Sequence, residues 1–512
     1  MAELKGREKQ IVGERIKKIG ALRESGINPY PHHFDGHEDR VFSADIQKEF
    51  SKLKDEEKSG KMVIVAGRVM TKRSFGKLAF AKVQDDLGAI QIVIQKEISS
   101  EEAVSLFKKV DTGDIVGIKG EVVKTQTGEV SILVDDLEIL SKSIFPLPSE
   151  HYGIKDKEER YRKRHLDLIM HPDVKEVFKK RSAIISAMRE FLEEKGFIEV
   201  ETPLLQTQYG GASAKPFETH INAWNMKMFL SISPELYLKR LIVGGMEKVF
   251  TVCKNFRNEG VDFSHNPEFT MIEAYWSYAD YDDMMKLMEE CWEYCAKKVL
   301  GTTKIKRTFR GKKVEIDLKA PWPRMTTHEA IKKYVGIDIC TCDELSLKEA
   351  CKKHNLEVEE CAIWGELVEA LVDVVEENSI QPIHVYDRPK EGTPLCKRHR
   401  EDERFNEQCE PLGLGMELGN IYTELNDPEL QEELLIEQSE KGRGGDEEAH
   451  PMDTDFIDTL KQGMPPTGGI GWGIDRMIIL LTGQESIRDV ILFPTMKPEE
   501  ENKKSDKKKV KK

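Results

Sequence analysis

The 512-residue chain has no apolar run approaching the roughly 18 residues that a membrane-spanning helix needs. That absence argues against a bilayer-crossing helix, and no membrane partner is expected. The first thirty residues lack the apolar core of a secretory leader, and Glu3, Glu8, Glu14 and Glu24 exclude an acid-poor transit peptide. Cysteine is scarce and unpatterned: nine residues, an odd number, with no two in C-x-x-C spacing. This argues against a disulfide framework and against zinc, and for free thiols in a reducing cytoplasm. Net positive charge is missing as well. A balance of −14 excludes a generally basic nucleic-acid binder, while leaving room for a local basic surface. The ends, KGREKQIVGERIKKIGALRE and NKKSDKKKVKK, carry the local basic charge.

What is present describes a globular protein. Hydrophobic residues make up 39% and charged residues 33%, and the length calls for two or three domains. Residues 1–55 read as a helical extension, interrupted at NPYPHH (Asn28–His33). Over 56–145 the segments KMVIVAGRVMTKRS, KLAFAKVQD and GAIQIVIQK read as strands, SSEEAVSLFKKV as an amphipathic helix, and DIVGIKGEVVKT and EVSILVDDLEIL as two more strands. Three strands, a helix and two strands is the order of a five-stranded OB β-barrel, a fold that often binds single-stranded nucleic acid. FPLPSEHYG opens a linker over 146–171. From Pro172 a long amphipathic helix runs to a stop at Gly196, and FIEVETPLL follows as a strand ending near Pro203. Further hairpins suggest an antiparallel sheet flanked by helices over 172–497, with a small helical insertion near 340–380. A basic tail over 498–512 has too little apolar content to fold. The fold class is α+β.

One stretch, FRNEGVDFSHNPEFTMIEAYWSYADY from Phe256 to Tyr281, places charges where a hairpin should be apolar. Alternation along a strand puts Phe269, Met271, Glu273 and Tyr275 on one face, and Arg257 and Glu259 together on the preceding strand. Burying such charges without partners costs several kcal/mol, on the order of that for any orphaned ion. A solvated face would not need two aromatics among its charges. A ligand pocket uses both: a ring to stack a base, and charges aimed at a charged substrate.

These residues also carry a family likeness. FRNEG…HNPEFTMIEAYWSYADY resembles the second signature motif of class II aminoacyl-tRNA synthetases, GFIEVETPLL the first and GGIGWGIDRMIILLTG the third. YRKRHLDLI, ISPELYLKRLIVGG, NIYTELNDP and IRDVILFP draw the likeness closest to the lysyl type, and it spans about residue 60 to Pro494. The resemblance implies an OB barrel that binds the anticodon and a class II catalytic domain. It implies an ATP-dependent ligase joining L-lysine to its tRNA through a lysyl-adenylate, releasing AMP and pyrophosphate. ATP is then a substrate, Mg2+ a cofactor, tRNA a partner held at anticodon and acceptor end, and the chain a homodimer built on the first motif. Such chemistry needs no side-chain nucleophile, only positioning and charge neutralisation.

By the same resemblance, Arg257 bridges the α-phosphate and the substrate carboxylate, a task suited to a planar fork of donors. Arg257, Arg476 and Glu417 are the catalytic set. Glu259 would meet the adenine amino group, His265 and Asn266 the distal phosphates or the adenine, while Phe269 and Arg476 would sandwich the base. Asn258, Leu418, Gly473, Ile474 and Asp475 complete the ATP contacts. In CEPLGLGMELGNIYTELND, Glu410 and Glu417 are given to magnesium. Asn420 holds the lysine carboxylate, Glu424 with Glu273 and Tyr275 receives the side-chain ammonium, and Gly211 and Glu235 take the α-amino group. Glu410, Glu417, Asn420 and Glu424 do not share one strand parity, so a turn or bulge at Gly413, Gly415 or Gly419 is expected. In the barrel, Phe80, Gln84 and Glu129 match the anticodon-reading surface. The chain departs from the family pattern at Pro411 and in GTPLCKRHRED. Aspartyl and asparaginyl relatives share the architecture, but an aspartate site needs a cationic lining. A protein-lysylating relative would lack the barrel, and an inactive RNA-binding paralogue would have no need of these charged residues.

Overall fold

The computed structural model describes residues 6–148, 154–359, 361–443 and 449–499, so most of the expected basic tail lies outside the described residues. The chain divides into two compact units, residues 1–154 and 155–512.

In the first unit, α1 (Gly6–Glu24) and α2 (Ser43–Glu49) precede the strands β1 (Lys58–Phe75), β2 (Leu78–Gln84) and β3 (Ala89–Gln95), helix α3 (Glu101–Lys109), and strands β4 (Ile115–Lys124) and β5 (Val130–Ser141). The strands close into a barrel in the order β1-β2-β3-β5-β4. Alternate residues such as Ala81, Val83, Ile90, Ile92, Ile132 and Val134 fill its interior. Gly67 and Gly120 let neighbouring strands approach, since a Cβ there would stand 2.4 and 2.3 Å from the facing carbonyl oxygens.

The second unit begins with α4 (Lys157–Arg162), α5 (Arg164–Met170) and α6 (Pro172–Glu194). Residues expected as linker are therefore partly helical and tied down. The Arg164 guanidinium donates to the carbonyls of Arg488, Ile491 and Leu492, and Tyr161 donates to Asp489 at 2.7 Å. The rest of FIEVETPLL forms little strand: β6 is only Ile198–Glu199, followed by a small side sheet of β7 (Leu205–Gln206), β8 (Glu218–Ile221) and β9 (Met226–Leu230). Then come α7 (Glu235–Val243), the hairpin β10 (Lys248–Phe256) and β11 (Glu268–Ser277), and α8 (Tyr281–Leu300). The hairpin β12 (Lys304–Phe309) and β13 (Lys312–Asp317), β14 (Arg324–Thr326), α9 (Thr327–Tyr334), α10 (Glu344–Lys353) and α11 (Trp364–Asn378) follow. The last stretch contains β15 (Ile383–Pro389), β16 (Phe405–Gly413), β17 (Met416–Glu417), β18 (Asn420–Thr423), α12 (Pro428–Arg443), α13 (Thr454–Leu460), β19 (Thr467–Gly473), α14 (Ile474–Thr482) and α15 (Ile487–Val490).

The main sheet runs β14-β15-β16-β18-β19-β11-β10-β6, with β17 folded back on β16. Pairing is antiparallel except at the two ends, where β14–β15 and β10–β6 are parallel. One face is paved by α6, α8 and α14. Met188, Leu192, Met284, Trp292, Met477 and Leu480 pack there against Ile272, Ala274, Ile421, Ile470 and Trp472 of the strands. Alternation then commits residues 271, 273, 275, 420, 422, 469, 471 and 473 to the opposite face. The segment near 340–380 is not wholly an insertion, because α11 buries Leu367, Leu371 and Val375 against Val385 and Leu412 of the sheet.

Candidate active site

The face opposite the paving helices holds a cavity of about 420 Å³ lined by seven glutamates and two arginines. Its shape follows from β19. Gly469, Gly471 and Gly473 point to the cavity side while Ile470 and Trp472 enter the core. The glycine spacing of the third motif thus marks a strand with one bare face. A Cβ at Gly469 would lie 1.7 Å from Glu424 Oε1, so glycine is required there to leave room for that carboxylate.

At one end lie the arginines. β10 stops at Phe256, so Arg257 and Glu259 sit on the connecting loop and not on a strand. The Arg257 guanidinium lies 5.2 Å from the centre of the Phe269 ring. Its Nε is buried without a hydrogen-bond partner. Arg476, in the first turn of α14, donates to Glu417 Oε2 and to the Glu417 carbonyl, both at 3.0 Å. Arg476 is therefore committed, whereas Arg257 is the cation left facing the cavity with a donor to spare. Of the loop residues, His265 is exposed with Nδ1 2.9 Å from Asp262, and Glu259 is exposed at the rim. Asn266 is buried: its amide donates to the Glu268 carbonyl and its oxygen accepts from Thr495 N.

Of the other expected nucleotide contacts, Leu418, Gly473 and Asp475 line the cavity. Asn258 and Ile474 do not line the cavity, and the Leu418 and Ile474 side chains belong to the hydrophobic core. Asp475 accepts from Arg181 and from Thr270 N, which ties α14 to α6 and β11. Its carboxylate is spent on holding the frame.

The expected turn in the acidic segment is a two-residue reversal at Leu414 (φ 55°) and Gly415 (φ 70°), between the paired Gly413 and Met416. Positive φ at both central residues is the hairpin turn that matches strand twist. Pro411 is accommodated because its backbone faces this hairpin, where its carbonyl accepts from Leu418 N at 2.7 Å. Glu410 is 2.8 Å from Arg388, which also holds Glu369 of α11. Burial pushes the Glu410 carboxyl up to about 8 despite Arg388, with further upward pressure from Glu417, Glu369 and Glu376. Such a surplus of carboxylate oxygen fits a hard divalent cation such as Mg2+. One other group of donors, His328, Asp338 and Cys340, is balanced already, with Lys332 at 3.0 Å from Asp338.

At the other end three carboxylates are gathered. Glu273 is 3% exposed and accepts from Ser233 Oγ at 2.8 Å and from Tyr275 OH at 3.1 Å. Glu235 and Glu424 both contact Lys239, at 2.6 and 2.5 Å. One buried ammonium thus sits among the acids expected to meet the substrate amines. Glu424 Oε1 keeps no hydrogen-bond partner. Gly211, at φ 84°, packs where a Cβ would meet Ser233 Oγ at 2.8 Å. Asn420 accepts from Gln408 at 3.2 Å and lines the same cavity. Lys239, Ser233, Glu369 and Arg388 escaped the sequence reading. Only the i,i+4 pairing of Glu235 with Lys239 in ELYLK offered a signal.

Two comparisons bear on this geometry. The model for tRNA synthetases class II (D, K and N) matches residues 156–497, and that for the OB-fold nucleic-acid-binding domain matches 63–140. The chain belongs to the class II tRNA synthetases. A protein of Thermoanaerobacter pseudethanolicus named lysine–tRNA ligase is 49% identical over 492 residues, covering 96% of each chain. One of the same name from Pelotomaculum thermopropionicum is 46% identical over 510 residues, covering 98% of each. As in other class II tRNA synthetases, ATP is a substrate. No described helix is long and apolar enough to cross a membrane.

In this synthetase's barrel, Phe80 shares the outward parity of Lys82 and Gln84, while Ala81 and Val83 point inward. Gln84 pairs with Ala89, and continuing the Gln91–Ser131 register by two residues brings Glu129 level with both. Phe80 and Gln84 therefore share the outer face of β2, and Glu129 sits just before β5, across β3 from Gln84.

Proposed function

We propose that this synthetase activates L-lysine with ATP and transfers it to lysine tRNA. The observation that carries the choice of amino acid is the acidic end of the cavity. Even after Lys239 is counted, Glu235, Glu273 and Glu424 leave more carboxylates than cations, the reverse of what an aspartate site needs. Arg257, with its free Nε, would grip the α-phosphate and the substrate carboxylate and hold them for in-line attack. Phe269 and Arg476 would enclose the adenine, with Glu259 and His265 at the loop rim reaching base and distal phosphates. Glu410 and Glu417 would hold Mg2+, which neutralises phosphate charge when bound. Gly211 and Glu235 would receive the α-amino group, Asn420 the carboxylate, and Glu273, Tyr275 and Glu424 the side-chain ammonium. Phe80, Gln84 and Glu129 would read the anticodon.

Exposed Ile198, Leu204, Leu205 and Trp224 around the first motif support a homodimer through that surface. Nine cysteines without a disulfide support a cytoplasmic setting.

The test is ATP–pyrophosphate exchange dependent on each amino acid, followed by charging of purified tRNA. Lysine alone is expected to support both at low concentration. In Glu273→Gln the lysine KM is expected to rise about 100-fold, as for a site that loses its charged acceptor, with ATP KM little changed. Exchange driven equally by aspartate would sink the assignment.

A pH dependence follows. Burial, then the charge of Glu235, pushes Glu273 up to about 8, and burial does the same for Glu424. Below that pH lysine must displace a proton to bind. Lysine KM is therefore expected to fall as pH rises from 6 to 8, by up to about tenfold per unit for each proton displaced. In the free protein a carboxyl with a raised pKa binds its proton more tightly folded than unfolded, so stability declines from about pH 4.5 towards 8. The thermal shift given by saturating lysine should be larger at pH 8 than at pH 6, and a shift that shrinks would contradict the assignment.

A further inference from the structure

Lys239 is a charged component of the amine-binding end with no counterpart in the substrate-contact scheme above. It lies one turn after Glu235 on α7, is 0% exposed, and its Nζ stands between Glu235 Oε1 and Glu424 Oε2. Glu273, the third acid, has only the hydroxyls of Ser233 and Tyr275. Apart from Arg257, the remaining titratable neighbours add no charge. Burial raises Cys396, Tyr275 and Tyr422, and burial with the nearby Lys239 charge lowers His450 to about 4. Arg257 acts on Glu273 from the nucleotide end. Fully ionised, the cluster holds three carboxylates and one ammonium, a charge of −2.

A lysine taken out of water is costly unless acids hold it, and an apolar side chain would fill the same space with less penalty. Lys239 is buried behind the cavity lining yet touches two of its carboxylates, which indicates a use for the charge. Resting on the lysine-pocket reading above, we propose that Lys239 is a specificity-determining positioning residue. It is a permanent internal ammonium that ties the carboxylate for the α-amino group to one for the ε-amino group. It also fixes the subsite at the charge that two substrate ammoniums cancel. An amino acid with one ammonium leaves a buried carboxyl group without its partner, and is rejected for that reason. Without Lys239, Glu235 and Glu424 face each other unbridged and hold a proton more tightly than in the native protein, so lysine binding needs a higher pH.

The test compares Lys239→Met and Lys239→Arg with the native full-length enzyme in lysine-dependent exchange between pH 7 and pH 9. In the Met variant lysine KM is expected to rise about 100-fold at pH 7 and to recover partly by pH 9, with ATP KM changed less than about threefold. The Arg variant, which keeps the charge, should stay within about tenfold of native. A Met variant with native lysine KM, or with a loss equal at both pH values, overturns the proposal and leaves Lys239 a space-filling residue. Should the Met variant fail to melt as a folded protein, the Arg variant decides: a loss beyond about 100-fold overturns the proposal, and near-native KM supports it. Glu273→Gln, measured alongside, separates the two readings. An unchanged lysine KM there refutes the pocket itself, whereas a raised KM there with an unaffected Met variant refutes only the part given to Lys239.

Discussion

Arg257→Ala is expected to lower lysine-dependent pyrophosphate exchange by about 10³-fold or more, the scale seen when a preorganised donor to developing charge is removed. Two arginines line the cavity, but Arg476 is bound to Glu417 at 3.0 Å through side chain and backbone. Arg257 has a buried, unpartnered Nε. Burial lowers its pKa, opposed by Glu259, Glu417 and Glu273, yet it starts so high that the group stays charged. A desolvated guanidinium without a partner is held ready for an anion. The fold should survive, because the β10–β11 register from Lys248↔Trp276 to Phe256↔Glu268 ends before Arg257. Exchange within tenfold of native, in a variant with native melting behaviour, would remove Arg257 from the reaction.

Gly469→Ala is expected to raise lysine KM by about 100-fold while sparing ATP affinity, on the scale of losing a charged acceptor. The added methyl would sit 1.7 Å from Glu424 Oε1 and 2.8 Å from Tyr275 Cε1. Glu424 would have to swing away, breaking its contact with Lys239. The nucleotide end of the cavity lies beside Gly473, where a Cβ would meet nothing closer than 3.8 Å. Lysine KM in exchange, together with ATP affinity from the same assay, checks this; equal damage to both substrates would mean that the strand itself had shifted.

The parts of this architecture that follow from periodicity were readable before any coordinates. Strand alternation assigned Phe269, Met271, Glu273 and Tyr275 to one face, and all four line the cavity. The barrel order followed from five β-rich segments and one amphipathic helix. What escaped depends on contacts distant in sequence. Glu369 reaches the cavity only because α11 packs on the sheet, and Asp475 is turned to structural use by Arg181, almost three hundred residues earlier. FIEVETPLL has strand-like residues, but only Ile198 and Glu199 pair with β10. Pattern reports which face a side chain takes, and says nothing about which neighbour will claim it.

The two-sided character of β11, β18 and β19 has a consequence for how such an enzyme changes over time. Even-numbered positions 272, 274, 470 and 472 carry cohesion, while the odd-numbered ones between them line the cavity. Substitutions at every second residue can therefore rewrite selectivity without loosening the scaffold. A lineage of ligases could diverge in the amino acid it charges by editing one register of three strands, leaving the other register as a common inheritance.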